Sequence, residues 1–153
     1  HLVQSGLLSV PILYHSRGII RRKSEYYQKL CDVTFEDAWE PWILYMLEVV
    51  EESARWTSRK IRDIWELREQ TKTLLQTRRP KLYSAELLEV LFQQPYCRIA
   101  DLVAAGLVKR QAAASHLKQL VEVGVLAEEK VGREKLFIHQ AYLKLLLHED
   151  EEN

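Results

Sequence analysis

The chain of 153 residues balances 22 Lys and Arg against 22 Asp and Glu and is 47% hydrophobic. Such a composition fits a globular fold with a real core and lacks the basic excess usual in a dedicated nucleic-acid domain. No run of about 18 apolar residues occurs, and Gln4, Ser5, His15, Ser16 and Arg17 interrupt the apolar positions near the start, so neither a membrane span nor a signal peptide is supported and the cytoplasm is the expected compartment.

Cys31 and Cys97 stand alone, and His1, His15, His116, His139 and His148 lack metal-ligand spacing. Both cysteines are therefore expected as buried free thiols, with no structural zinc. The chain opens at His1 inside an apolar pattern (Leu2, Val3, Leu7, Leu8), and its one methionine is Met46. A helix beginning without a cap reads as the continuation of something upstream.

Ser9 with Pro11 makes a helix start, and a helix is predicted over 12–30 with the stripe Ile12, Ser16, Ile19, Ile20, Lys23, Tyr27, Leu30. Its basic run Arg21-Arg22-Lys23 reads as a solvated face, and Tyr26 and Tyr27 as packing residues. Thr34 and Asp37 have the spacing of a capping box, and Pro41 fits only near a helix start. A long helix follows over 41–76, roughly 50 Å of rod. Ile43, Met46, Leu47, Val50, Ala54, Thr57, Ile61, Ile64, Trp65, Arg68 and Leu75 keep close to a seven-residue repeat, which allows pairing with a second copy of the chain. Trp39, Trp42, Trp56 and Trp65 read as packing anchors on this helix. Thr77-Arg78-Arg79-Pro80 ends the pattern and sets a boundary.

Ser84 caps a helix over 85–94 that buries Leu87, Leu88, Leu91 and Phe92 and stops before Pro95. A second short helix, 98–105, repeats Ile99, Leu102 and Val103 and ends at Gly106, a residue suited to a left-handed cap. After the turn Gly106-Leu107-Val108 comes a helix over 109–123. Ala113, Leu117, Leu120 and Val121 form its buried stripe, which leaves Lys109, Arg110, Gln111, Ala114, Ser115, Lys118 and Gln119 outward. Segments 126–131 and 134–139, joined by Gly132-Arg133, have the pattern of a hairpin with a two-residue turn. The helix Gln140–Leu147 closes the series with Leu143, Leu146 and Leu147 on one side, ahead of an acidic end at Glu149-Asp150-Glu151-Glu152.

The order helix, glycine turn, helix, hairpin is that of a winged helix-turn-helix. The expected fold is mainly α, with helices and a long helix over 1–79, a winged helix-turn-helix with its small β-hairpin over 80–148, and an acidic tail over 149–153. Double-stranded DNA is the partner this pattern proposes. Lys109, Arg110, Gln111, Ser115 and Lys118 would meet the major groove, while Lys130, Arg133 and Lys135 on the wing would meet phosphate or a minor groove. Docking of a protein, and a free-standing dimeric regulator, remain alternatives of a different class. The five glycines are isolated, so no phosphate loop exists, and no nucleophile stands beside a paired base.

Three further stretches carry a family likeness. Leu7-Leu8-Ser9-Val10-Pro11-Ile12-Leu13-Tyr14-His15-Ser16-Arg17, then Tyr26-Tyr27 with Leu30, then Trp39-Glu40-Pro41-Trp42-Ile43 resemble the segment downstream of the catalytic loop in Fic-domain proteins, many of which continue into a winged helix. The resemblance implies a parent enzyme that moves AMP from ATP, with magnesium, to a hydroxyl of a protein substrate through a loop of the form H-P-F-x-x-G-N-G-R. No stretch of the 153 residues matches that loop, so no catalytic residue is carried over and the chain itself is expected to hold no cofactor.

Overall fold

The computed structural model describes residues 3–6, 9, 15–132 and 134–147. The helix start at Ser9 and Pro11, most of the first Fic-like stretch, Arg133 and the acidic tail therefore fall partly or wholly outside the described residues. The described residues form a mainly α protein, as the sequence led one to expect, in two compact units, His1–Arg59 and Lys60–Asn153.

In the first unit, α1 (His15–Arg21) and α2 (Lys23–Glu36) precede α3 (Trp39–Arg78), which runs on into the second. The single helix expected over 12–30 is divided. At Arg22 the backbone leaves helical geometry (φ −117°, ψ 42°), and the guanidinium reaches α3, with Nη1 3.0 Å from Glu48 and Nη2 3.2 Å from Glu52. No glycine or proline marks this break; the groups around it come from a distant helix. α2 runs past the expected end to Glu36, and within it Thr34 donates its hydroxyl to the Leu30 carbonyl at 2.8 Å rather than capping a new helix. The capping box expected at Thr34 is accordingly absent. Asp37 instead closes α2 in a left-handed conformation (φ 55°) and accepts from the Trp39 indole at 2.7 Å. Pro41 lies in the first turn of α3, where a missing N–H costs nothing.

The helix α3 spans nearly the expected residues, but its covered face differs from the expected stripe. Tyr45, Val49 and Ser53 are buried in the first unit, and Lys60, Thr71 and Leu75 in the second, whereas Ile43, Leu47, Ile61 and Trp65 are more than half exposed. A near-seven repeat describes two adjacent stripes of one helix equally well, and tertiary neighbours choose between them. For the same reason Trp42 and Trp56 serve as packing residues while Trp39 and Trp65 do not. Trp42 joins Tyr26 and Tyr45 in a ring cluster, and the Arg17 guanidinium stands 4.5 Å above Trp56. Tyr26 thus packs as expected, whereas Tyr27 is exposed. Gly18 is buried against α3; a Cβ there would lie 3.0 Å from Val49 Cγ1.

In the second unit, Leu75 at the end of α3 shares a core with Leu82, Leu87, Leu91, Leu102, Leu117, Leu120 and Phe137. Ser84 caps α4 (Ala85–Gln93), its Oγ accepting from the Leu87 amide at 3.1 Å. Then come α5 (Ile99–Ala104) and α6 (Arg110–Glu122), which end alike. Gly106 and Gly124 take φ near +70° and +80°, and paired bonds fold each helix back: Gly106 N to Val103 O with Leu107 N to Leu102 O, and Gly124 N to Val121 O with Val125 N to Leu120 O. Both are Schellman closures, and Leu107 and Val125 deliver the apolar side chains that such closures turn inward.

The hairpin consists of β2 (Ala127–Val131) and β3 (Glu134–Ile138), paired from Ala127 opposite Ile138 to Val131 opposite Glu134. That register leaves two residues, 132 and 133, between the strands. A two-residue strand, β1 (Tyr96–Cys97), pairs with Ile138 and Phe137 and makes the sheet order β1-β3-β2. Its length is too small for any alternation to announce it. The helix α7 (Gln140–Leu147) follows, and Lys60 donates to its Leu145 carbonyl at 3.1 Å, a cation at a helix C-terminus. No described helix is long and apolar enough to cross a membrane.

Candidate recognition surface

The helix α6 carries core and surface on opposite sides, as 3.6-residue periodicity requires. Ala113, Leu117 and Leu120 are fully buried, which turns Lys109, Arg110, Gln111, Ser115 and Lys118 outward, all of them exposed. Lys109 stands at the N-cap position in extended geometry, so the face begins just before the first turn. Among the described residues, no carboxylate lies within ion-pair distance of Lys109, Arg110 or Lys118. The side chains between them are small or amide-bearing, and Gln119 donates to Ser115 Oγ at 3.3 Å. Glu122 bounds the face at its far end, where it pairs with Arg79 at 3.1 Å.

The hairpin cations are arranged differently. Lys130 and Lys135 sit directly opposite each other in register, a like-charge pair that destabilises unless offset. The offset is Glu128, which bonds Lys135 diagonally across the strands. Lys135 therefore offers less free charge than the sequence implies, while Arg133 lies outside the described residues. Arg110 and Lys135 come together, however, because both line one groove with Arg98. Sequence reading missed Arg98, whose backbone amide opens α5 by donating to Asp101 Oδ2 at 2.7 Å while its side chain meets Glu134 at 3.4 Å. A basic residue just before a capped helix was the available signal.

Two buried titratable groups lie in the same unit. Burial pushes the Cys97 thiol up to about 12 and the His139 imidazole down to about 4, which leaves one protonated and the other neutral at physiological pH. Among the described residues, no three His, Cys, Asp or Glu side chains gather in a way that could hold a metal ion.

Residues 67–142 match the family described as protein adenylyltransferase SoFic-like, C-terminal domain. The match runs from the last turns of α3 into the first turn of α7 and takes in the whole α4-to-β3 arrangement. Together with the mainly α fold, the match identifies the chain as a C-terminal region of a Fic-family protein that carries a SoFic-like C-terminal domain.

Proposed function

We propose that the region from α4 to α7 is a winged helix-turn-helix that binds duplex DNA for a protein adenylyltransferase, the enzyme's transfer of AMP from ATP to a protein hydroxyl being the work of other residues. The observation that carries this reading is the outward face of α6, where Lys109, Arg110 and Lys118 are exposed with no carboxylate partner among the described residues. Cations left unpaired are ready to displace counterions from phosphate, and Gln111 and Ser115 between them supply hydrogen-bonding groups of the size that reads base edges. The hairpin β2–β3 takes the place of the wing, and its Lys130 extends the charge. The balanced net charge of the chain does not oppose this, because the carboxylates are mostly on other helices or paired.

The test is fluorescence polarisation of a labelled duplex against the purified chain over a range of salt. Affinity should fall steeply with salt, and Lys109→Ala, Arg110→Ala and Lys118→Ala should each lower the slope by about one unit. Absence of binding at low salt would sink the proposal.

A further inference from the structure

Beside α6, the outer face of α5 and the start of β3 bound a groove of about 580 Å³. Ala100 and Val103 lie on its floor, with Val103 40% exposed, and Arg98, Arg110 and Lys135 stand around it with Glu134. Such a floor is of no use to a sugar-phosphate backbone, which brings no apolar side chain to bury. The floor residues are also too open to solvent to enclose a small free anion.

The sheet adds an independent observation. The short strand β1 covers β3 only at Phe137 and Ile138, so on that side Glu134, Lys135 and Leu136 have no strand beside them among the described residues. The uncovered stretch of β3 is the part that borders the groove. An extended chain laid there would continue the row that β1 begins and would satisfy main-chain groups of β3. Its alternate side chains would point toward the α5 floor. Arg98 and Glu134, which now face each other at 3.4 Å, are both more than half exposed, so their pairing is weak and a guest carboxylate can take Glu134's place.

We propose that this groove docks an extended segment of a partner protein by strand addition to β3 at Glu134–Leu136, with an apolar side chain on Val103 and Ala100 and a carboxylate among Arg98, Arg110 and Lys135. Charge selects the guest: Arg110 has no carboxylate partner among the described residues, and Arg98 is held only by the exposed Glu134, while Lys135 is already offset by Glu128. The site is separate from the α6 face apart from Arg110, and it stands whether or not that face binds DNA.

The experiment uses a short fluorescein-labelled peptide that alternates leucine and glutamate, titrated into the full chain and followed by polarisation. Binding is expected, and it should vanish when the leucines are replaced by serine or the peptide backbone is N-methylated. Val103→Glu and Ala100→Glu, both at exposed helical positions, should each weaken binding at least about tenfold, whereas Lys118→Ala should leave it unchanged. No binding at low salt, equal binding by an all-glutamate peptide, or indifference to both groove variants would overturn the proposal.

Discussion

The backbone amide of Tyr142 donates to Nδ1 of His139 across 3.3 Å, so the imidazole caps the start of α7 as an acceptor. It can do so only while neutral. His139 is 3% exposed and stands edge-on to Phe92, with ring centroids 5.1 Å apart. Burial pushes its pKa down to about 4, against about 6.5 in an unfolded chain. Between those values the unfolded chain binds a proton that the folded one refuses. Stability is therefore complete above about pH 6.5 and falls as the pH drops toward 4, by about 3 kcal/mol in all. Urea unfolding across this window should show the loss. His139→Asn keeps a cap oxygen but does not titrate, so its stability should vary less with pH; an unchanged pH slope would remove His139 from the account.

The two thiols should react differently. Cys31 was expected to be buried, but it is exposed on α2, because the covered sides of that helix are taken by other residues, whereas Cys97 is buried in the core and its thiol is held protonated. Iodoacetamide at mildly alkaline pH should modify Cys31 in the native protein and leave Cys97 untouched until denaturant is added, as read by intact mass. Native modification of Cys97 would show that β1 opens readily.

Neighbouring positions on α6 should separate stability from recognition. Leu117 is fully buried and Lys118 exposed. Leu117→Ala should cost about 3 kcal/mol, while Lys118→Ala should stay within about 0.5 kcal/mol. Urea denaturation followed by circular dichroism measures both, and a large loss in Lys118→Ala would mean that this side chain supports the fold.

The close approach at Gly18 makes a prediction in the other unit. Because a Cβ would already meet Val49 Cγ1 at 3.0 Å, Gly18→Leu should destabilise by about 2 kcal/mol. Val49→Ala in the same chain should recover part of that loss, although by itself it opens a cavity. Thermal unfolding of the single and double variants gives the coupling, and strict additivity would show that the two helices do not rely on this contact.

The parts of the fold that could be read from the residues are those fixed locally. Gly106 and Gly124 close α5 and α6 through bonds made within six residues, and Gly132 takes a φ of +62° directly after β2. The outward face of α6 was legible for the same reason, since helical periodicity alone opposes Lys118 to Ala113 and Leu120. What could not be read depended on distant partners. The division at Arg22 goes with carboxylates on α3, the buried face of α3 was selected by what packs on it, and Arg98 joins Arg110 and Lys135 only because β3 folds back beside α5.

The outer strand of the hairpin has a consequence for crowded solutions. Among the described residues β2 pairs on one side only, with β3, so its other edge offers main-chain groups to a passing strand. Along it run Glu128, Glu129 and Lys130 in succession, all exposed. A second copy lying antiparallel against that edge would have to bring carboxylates close to carboxylates or strip ions of their water. Charge on this edge therefore disfavours the addition of a second strand, and burying it against a copy would require the ions to lose water.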